Sequence, residues 1–215
     1  MSNSITIDGC EYPINTNVSK EQGCYVEILE AINRNLMAML SYHSRVLVIQ
    51  FIVHRYDYPP LNTEMSALMK VLQRRLPRKY QLTRICGGWV REVGKNKCPH
   101  YHVAFFLDGN RVCSHYGLQY LVTDIATFRD FSRPSFVPSH MVVRGDFASI
   151  GKAFYHLSYL AKTRDKNGRP PATNDYSFSR PDMNPKAQVY DVATEQGNAR
   201  FSDSLNVKEY VLKTN

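Results

Sequence analysis

The chain has 215 residues, 43% hydrophobic and 21% charged, a composition that excludes wholesale disorder and fits one domain with terminal extensions. Lys and Arg outnumber Asp and Glu by 27 to 19, a formal net charge of +8. That excess is too small for a histone-like tail but favours a polyanionic partner such as nucleic acid. Cys10, Cys24, Cys86, Cys98 and Cys113 are scattered and form no Cys-x-x-Cys pair, which argues against a disulfide framework and fits a reducing cytosol. Residues 1–18 carry neither a basic start nor an apolar run, so no signal peptide is expected. The longest apolar stretch, residues 46–53, is interrupted by Gln50 and is too short to span a bilayer. A cytoplasmic protein without a membrane partner is the expectation.

In chain order, residues 1–19 are polar and rich in Asn and Ser, and read as a loosely held arm. Residues 19–43 place Val26, Leu29, Ile32, Leu36, Met37 and Leu40 at the spacing of one helix face. Residues 45–55 are dense in β-branched side chains, as in a strand covered on both faces. Asn62 or Thr63 then caps a helix to about residue 76, where Pro77 should stop it. A hairpin follows, with strands at 82–93 and 100–107 around the turn 94–97, closed by Asp108-Gly109. Residues 112–131 read as a helix, 141–144 as a short strand, and 147–162 as a helix with Asp146 as N-cap. Beyond Thr163 the chain is rich in Pro, Asn and Asp, reading as extended or irregular up to a last strand near 207–212. The order is β-α-β-β-α-β with one helix appended. This is an α+β, ferredoxin-like or RRM-like antiparallel sheet with helices mainly on one face. Residues 45–165 form the core, flanked by an arm and helix at 1–44 and an irregular extension at 166–215.

The fold class settles no function, so the chemistry must come from side chains. In Pro99-His100-Tyr101-His102-Val103, strand alternation turns His100 and His102 to one face and Tyr101 and Val103 to the other. Two imidazoles at i and i+2 can chelate one divalent cation; the same pattern also suits a half-exposed surface pair. Glu92, on the preceding strand, is the best third ligand, and a carboxylate with two imidazoles suits Mg²⁺ or Mn²⁺. The alternative for Glu92 is a surface ion pair with Lys95 or Lys97. Cys98 shares the histidine face, which leaves a thiolate-containing zinc site as a lesser reading.

Further on, Tyr155, Tyr159 and Lys162 stand at i, i+4 and i+7 on one helical face. Ile150, Phe154, Leu157 and Ala161 already form the apolar stripe, and the tyrosines point away from it. A tyrosine hydroxyl can attack phosphorus and become linked to it. Its ordinary pKa of about 10 means it needs help from a cation that polarises the phosphate.

These residues resemble the HUH endonuclease superfamily of Rep proteins and relaxases. The hallmark His-hydrophobic-His is matched by His100-Tyr101-His102, and the helix with Tyr-x-x-Lys by Tyr159-Leu160-Ala161-Lys162. Tyr155 extends this to Tyr-x-x-x-Tyr-x-x-Lys, which is similar to the two-tyrosine initiators of single-stranded DNA phages. The run from Trp89 to Asp108 is similar to the inovirus replication-protein family, including prophage YagK/YfjJ-like proteins. The resemblance covers roughly residues 40–165. It implies nicking and joining of single-stranded or melted origin DNA bound across the sheet, starting rolling-circle replication in a bacterial host. Mg²⁺ or Mn²⁺ on His100, His102 and Glu92 would grip the scissile phosphate, and Tyr159 would attack to leave a 5′-phosphotyrosine and a free 3′-OH. Tyr155 would serve the second cut, and Lys162 would be the accessory cation.

The sequence contains no Gly-x-x-x-x-Gly-Lys-Ser/Thr loop, so a separate helicase is expected. Arg55, Arg84, Arg91, Lys95 and Lys97 are candidate DNA-backbone contacts, and Tyr101 or Trp89 candidate stacking platforms. A transposase or mobilisation relaxase would share the motifs. A non-catalytic single-strand nucleic-acid-binding or regulatory module on an RRM-like sheet is the reading from another class, and a zinc-stabilised domain using Cys98 is a third.

Overall fold

The computed structural model describes residues 3–16, 23–57, 61–93, 98–163 and 174–187. Within them the chain is a mixed α+β structure with a mostly antiparallel sheet and four α-helices. Lys95, Lys97, the turn 94–97 and the strand anticipated near 207–212 lie outside the described residues.

The N-terminal segment is a structured hairpin, which corrects the expectation of a loose arm. Strands β1 (Ser4–Ile7) and β2 (Cys10–Pro13) pair with Ile7 opposite Cys10. Asp8 and Gly9 form the two-residue turn at φ 51° and 78°, the backbone that Asp-Gly turns adopt between twisted strands. Tyr12 is 1% exposed and stacks on Phe154 with ring centroids 4.4 Å apart.

Helix α1 (Val26–Tyr42) leads into β3 (Arg45–His54), whose residues Val46 to Ile49 are all buried. The strand is therefore covered on both faces, as its β-branched run required. Helix α2 (Thr63–Tyr80) runs through Pro77, which was expected to stop it, and ends at Gln81 in the left-handed region. The proline removes one backbone donor. The packing of Leu72 and Leu76 and the bond from Leu82 N–H to the Pro77 carbonyl (3.1 Å) hold the last turn nonetheless.

Strands β4 (Ile85–Val93) and β5 (Pro99–Asp108) form the expected hairpin pair, and β5 also pairs with β3. Helix α3 (Tyr116–Thr127) is shorter than its predicted span. The short β6 (Ser135–Phe136) and β7 (His140–Val143) both pair with the outer edge of β3. Helix α4 (Phe147–Leu157) starts where Asp146 accepts bonds from the Ala148 and Ser149 amides, the expected cap. A strand not anticipated, β8 (Tyr176–Phe178), pairs with β4 and lays the Phe178 ring over Gly88, where a Cβ would collide with it. The sheet path is β6-β3-β5-β4-β8, with β7 on β3.

Two apolar clusters flank this sheet. One joins Val46, Val48, Cys86, Val90, Ala104 and Phe106 to α1, α4 and the hairpin strand β2. The other joins Leu47, Ile49, Phe51, Trp89, Tyr101, Val103 and Phe105 to α2 and α3. Helices thus cover both faces, a correction to the expectation of one face: the N-terminal region supplies α1 and the hairpin that close the second side. Among the described residues no helix is long and apolar enough to cross a membrane.

Candidate metal and tyrosine site

The antiparallel register of β4 and β5 sets Glu92 opposite His100 and Val90 opposite His102. Alternation then puts Glu92, His100 and His102 on one face, at the end of the strands where the α1/α4 cluster thins out. One carboxylate oxygen, Glu92 Oε2, lies 3.1 Å from His100 Nε2 and 3.2 Å from His102 Nε2. The side chains of Glu92, His102 and His100 are 5%, 9% and 20% exposed. A carboxylate this deep needs compensating partners, and the two imidazoles provide them.

The donor set fits a divalent cation. One ligand atom from each residue lies within 4.8 Å of the others. Donors about 3 Å apart are what bonds of about 2.1 Å at near-right angles require. One oxygen and two imidazole nitrogens suit a hard or borderline ion. Cys98 is exposed, with its thiol 4.0 Å from the Tyr56 carbonyl, and is not a member of this group. Residue 98 precedes the first paired residue of β5, so the strand does not fix its direction.

Tyr159 stands against this group, its ring centroid 5.5 Å from that of His102. The Lys162 ammonium lies 4.5 Å from the centre of the Tyr159 ring, within the range of a cation–π contact. The predicted helix 147–162 does not continue as one element: after Leu157 the backbone tightens into a 3₁₀ turn, Ser158–Ala161. Each 3₁₀ residue turns about 120° rather than 100°, so Tyr155 and Tyr159 are rotated apart relative to a continuous helix. Tyr155 lies beside His156, ring centroids 5.8 Å apart, and burial pushes its hydroxyl pKa up.

The turn is held from the N-terminal side. The Asn15 amide donates to Ser158 Oγ (2.8 Å), which in turn donates to the Tyr155 carbonyl (2.7 Å). The Tyr25 amide donates to the Ala161 carbonyl (2.7 Å), and Cys24 forms a β-bridge with Lys162. Residues far apart in sequence therefore fix where the tyrosine sits.

The basic residues expected around the site are placed differently. Arg91 is 1% exposed and lies on the opposite face, paired with Tyr101 across the strands, its guanidinium 3.4 Å from Asn62 Oδ1. Arg55 is 9% exposed and clamps Asp57 with two bonds of 2.6 and 2.7 Å while donating to the Arg129 carbonyl. Burial takes both away from a solvent-facing backbone role, because strand parity turned Arg91 inward and Asp57 occupies the Arg55 fork. Arg84 is exposed but stacks 3.5 Å over Tyr42 near the start of β4, roughly 26 Å of strand away from Glu92. Trp89 and Tyr101 are packed edge-to-face in the α2/α3 cluster, centroids 5.7 Å apart, and offer no stacking surface.

The residue missed in the sequence is His54. The β3–β5 register sets it opposite His100, and the two rings stack with centroids 5.5 Å apart. Burial and the neighbouring His100 and His102 hold its pKa below the usual imidazole range. Its parity along β3 could have flagged it, but only once the partner residue was known.

Comparison of the chain with protein-family models, curated protein sequences and solved structures finds no match.

Proposed function

We propose that this chain is a metal-dependent DNA endonuclease of the HUH type, which nicks and rejoins single-stranded DNA through a 5′-phosphotyrosine and so initiates rolling-circle replication of a phage, prophage or plasmid. The observation that carries this reading is the convergence of Glu92, His100 and His102 with Tyr159 beside His102 and Lys162 over the phenol. The sheet path supports a ferredoxin-like core. Strands β7, β3, β5 and β4 lie side by side in that order, with α2 and α3 as the crossovers.

Glu92, His100 and His102 would hold Mg²⁺ or Mn²⁺, which supplies charge stabilisation at the scissile phosphate when bound. The Tyr159 hydroxyl attacks phosphorus, forming the Tyr159 O–P bond and losing its proton to solvent. The bond from phosphorus to the 3′ oxygen breaks, and that oxygen takes the electron pair and a proton to become a 3′-OH. Rejoining is the reverse attack by a 3′-OH, which frees the tyrosine. Lys162 offsets negative charge on the phenolate. Tyr155 is assigned the second transfer of each round. Because helices cover both sheet faces, the single strand is assigned to the strand-end surface beside His54 and His100 rather than across the sheet. The cytoplasm of a bacterial host and a separate helicase complete the reading.

Incubating the protein with Mn²⁺ and single-stranded DNA of its own replicon tests this. A covalent adduct on a denaturing gel is expected, absent in Tyr159→Phe and in His100→Ala. An adduct that survives Tyr155→Phe with Tyr159→Phe would sink the assigned nucleophiles. Binding without metal-supported cleavage would favour a non-catalytic single-strand-binding module.

A further inference from the structure

Among the described residues, positive charge clusters on helix α2, on the face of the sheet opposite the metal and tyrosine site. Helix α2 carries Lys70, Arg74, Arg75, Arg78 and Lys79 against a single acid, Glu64. The difference of four is half of the net +8. All five basic residues are exposed. Glu64 is already engaged by Arg129 at 3.2 Å. Among the described residues, no acidic side chain lies within 4.0 Å of Lys70, Arg74, Arg75 or Arg78.

The arrangement along the helix is specific. Met65, Leu68, Met69, Leu72 and Leu76 form the buried stripe. At 100° per residue, Lys70, Arg74 and Arg78 fall roughly 135–180° from its centre. They form an i, i+4, i+8 row about 12 Å long. Like charges at that spacing weaken a helix. The favourable interaction of a cation with a helix C-terminus covers only Arg78 and Lys79 in the last turn. Among the described residues no ion pair offsets Lys70 or Arg74, which makes an external anion a natural partner.

The partner's chemistry follows from what α2 lacks. None of the large hydrophobic side chains exposed among the described residues belongs to α2. The ridge therefore has no apolar face to enter a bilayer and no aromatic platform on which unpaired bases could stack. It is suited to the phosphates of a duplex, contacted without sequence readout. We propose that α2 is a docking ridge for double-stranded DNA, separate from the nicking site. Choosing DNA among polyanions rests on the nuclease reading; the placement of the charge does not. The ridge faces away from the sheet on the side opposite Glu92, His100 and His102. Its basic part lies toward the helix C-terminus, while the N-terminal Asn62 contacts Tyr101 near the histidine end. A duplex flanking the nick would be gripped on one side while the melted strand reaches the tyrosine on the other.

The test is binding of the full chain to a random-sequence 30-base-pair duplex in EDTA, followed by fluorescence anisotropy across a salt series. Lys70→Gln with Arg74→Gln and Arg78→Gln should bind roughly tenfold or more weaker, with the log–log salt slope shallower by about 2.7. A charge-matched control, Arg111→Gln with Arg133→Gln and Arg180→Gln, should stay close to wild type. Equal losses in both variants, preference of the wild type for anionic phospholipid vesicles, or equal competition by single-stranded DNA would each overturn the proposal. Adduct formation on a short single-stranded oligonucleotide with Mn²⁺ is measured in parallel and should be unchanged in the α2 variant. If no adduct forms with any protein while duplex binding depends on α2, the nuclease reading fails and the ridge stands.

Discussion

Tyr155 and Tyr159 differ in chemistry because they differ in surroundings. Tyr159 is bracketed by the His102 ring and the Lys162 ammonium. Tyr155 lies on the last turn of α4, where burial raises its pKa and makes the phenolate harder to reach. Tyr159→Phe is therefore expected to abolish the first covalent adduct with single-stranded DNA, while Tyr155→Phe keeps it and loses only strand transfer to a second substrate. Single-turnover gels with each variant distinguish these outcomes; an adduct lost in Tyr155→Phe alone would reverse the order. Glu92 is the proposed ligand whose loss is most informative, since one of its oxygens faces both imidazoles. Glu92→Gln keeps the shape but removes the charge. Titration calorimetry with Mn²⁺ should show affinity reduced at least about tenfold, by analogy with losses from disturbing metal-site partners.

At the scale of elements, the position of Tyr159, the proposed nucleophile, depends on the N-terminal hairpin and the segment that follows it. The hairpin β1–β2 seats Tyr12 on Phe154 of α4, and Asn15 bonds the 3₁₀ turn through Ser158. Tyr12→Ala removes a fully buried aromatic side chain and should cost about 3–5 kcal/mol in chemical denaturation. Adduct yield should fall at temperatures well below the melting point, because the turn loses its support before the sheet does. A Tyr12→Ala protein with unchanged stability and unchanged adduct yield would show that the hairpin is dispensable. Asp146 is the N-cap of the same helix, accepting at 3.1 and 3.2 Å from Ala148 and Ser149. Asp146→Ala should lower stability by about 1 kcal/mol, and Asp146→Asn by less, since asparagine caps nearly as well.

For the molecule as a whole, pH dependence comes from histidines held neutral in the interior. His140 on β7 and His156 on α4 share a 3.0 Å hydrogen bond, in which one ring donates and the other accepts. Burial, with His156 and Lys152 beside it, lowers the His140 pKa to about 4 from 6.5, and burial with Lys152 also lowers that of His156. A folded-state pKa below the unfolded one means that the unfolded chain binds more protons between these values. Stability is then complete above about pH 6.5 and declines as pH falls toward 4. His43 and His54, also lowered chiefly by burial, act in the same direction. Melting temperatures across pH 4–8 should show this decline, less steep in His140→Phe. A flat profile in the wild type would mean that the pair is open to solvent.

Much of the fold and the candidate site was legible in the sequence where the signal is local. The alternation of His100, Tyr101 and His102, the hairpin with Glu92, the cap at Asp146 and the apolar stripe of α4 all follow from periodicities of two or 3.6 residues. The hairpin turn at Asp8-Gly9 was equally local, and was obscured by the polar composition around it. Register and layering are different, because they are set by pairing between segments distant in sequence. Sequence alone therefore could not place His54 beside His100, turn Arg91 into the core, or set β8 over Gly88. The same holds for the charge. The sequence determined that the protein is basic, and the tertiary structure decided that the basic row of α2, half of that net charge, faces away from the sheet on the side opposite the candidate site. Residue type is fixed by the chain, whereas which face a residue serves is fixed by what packs against the other face.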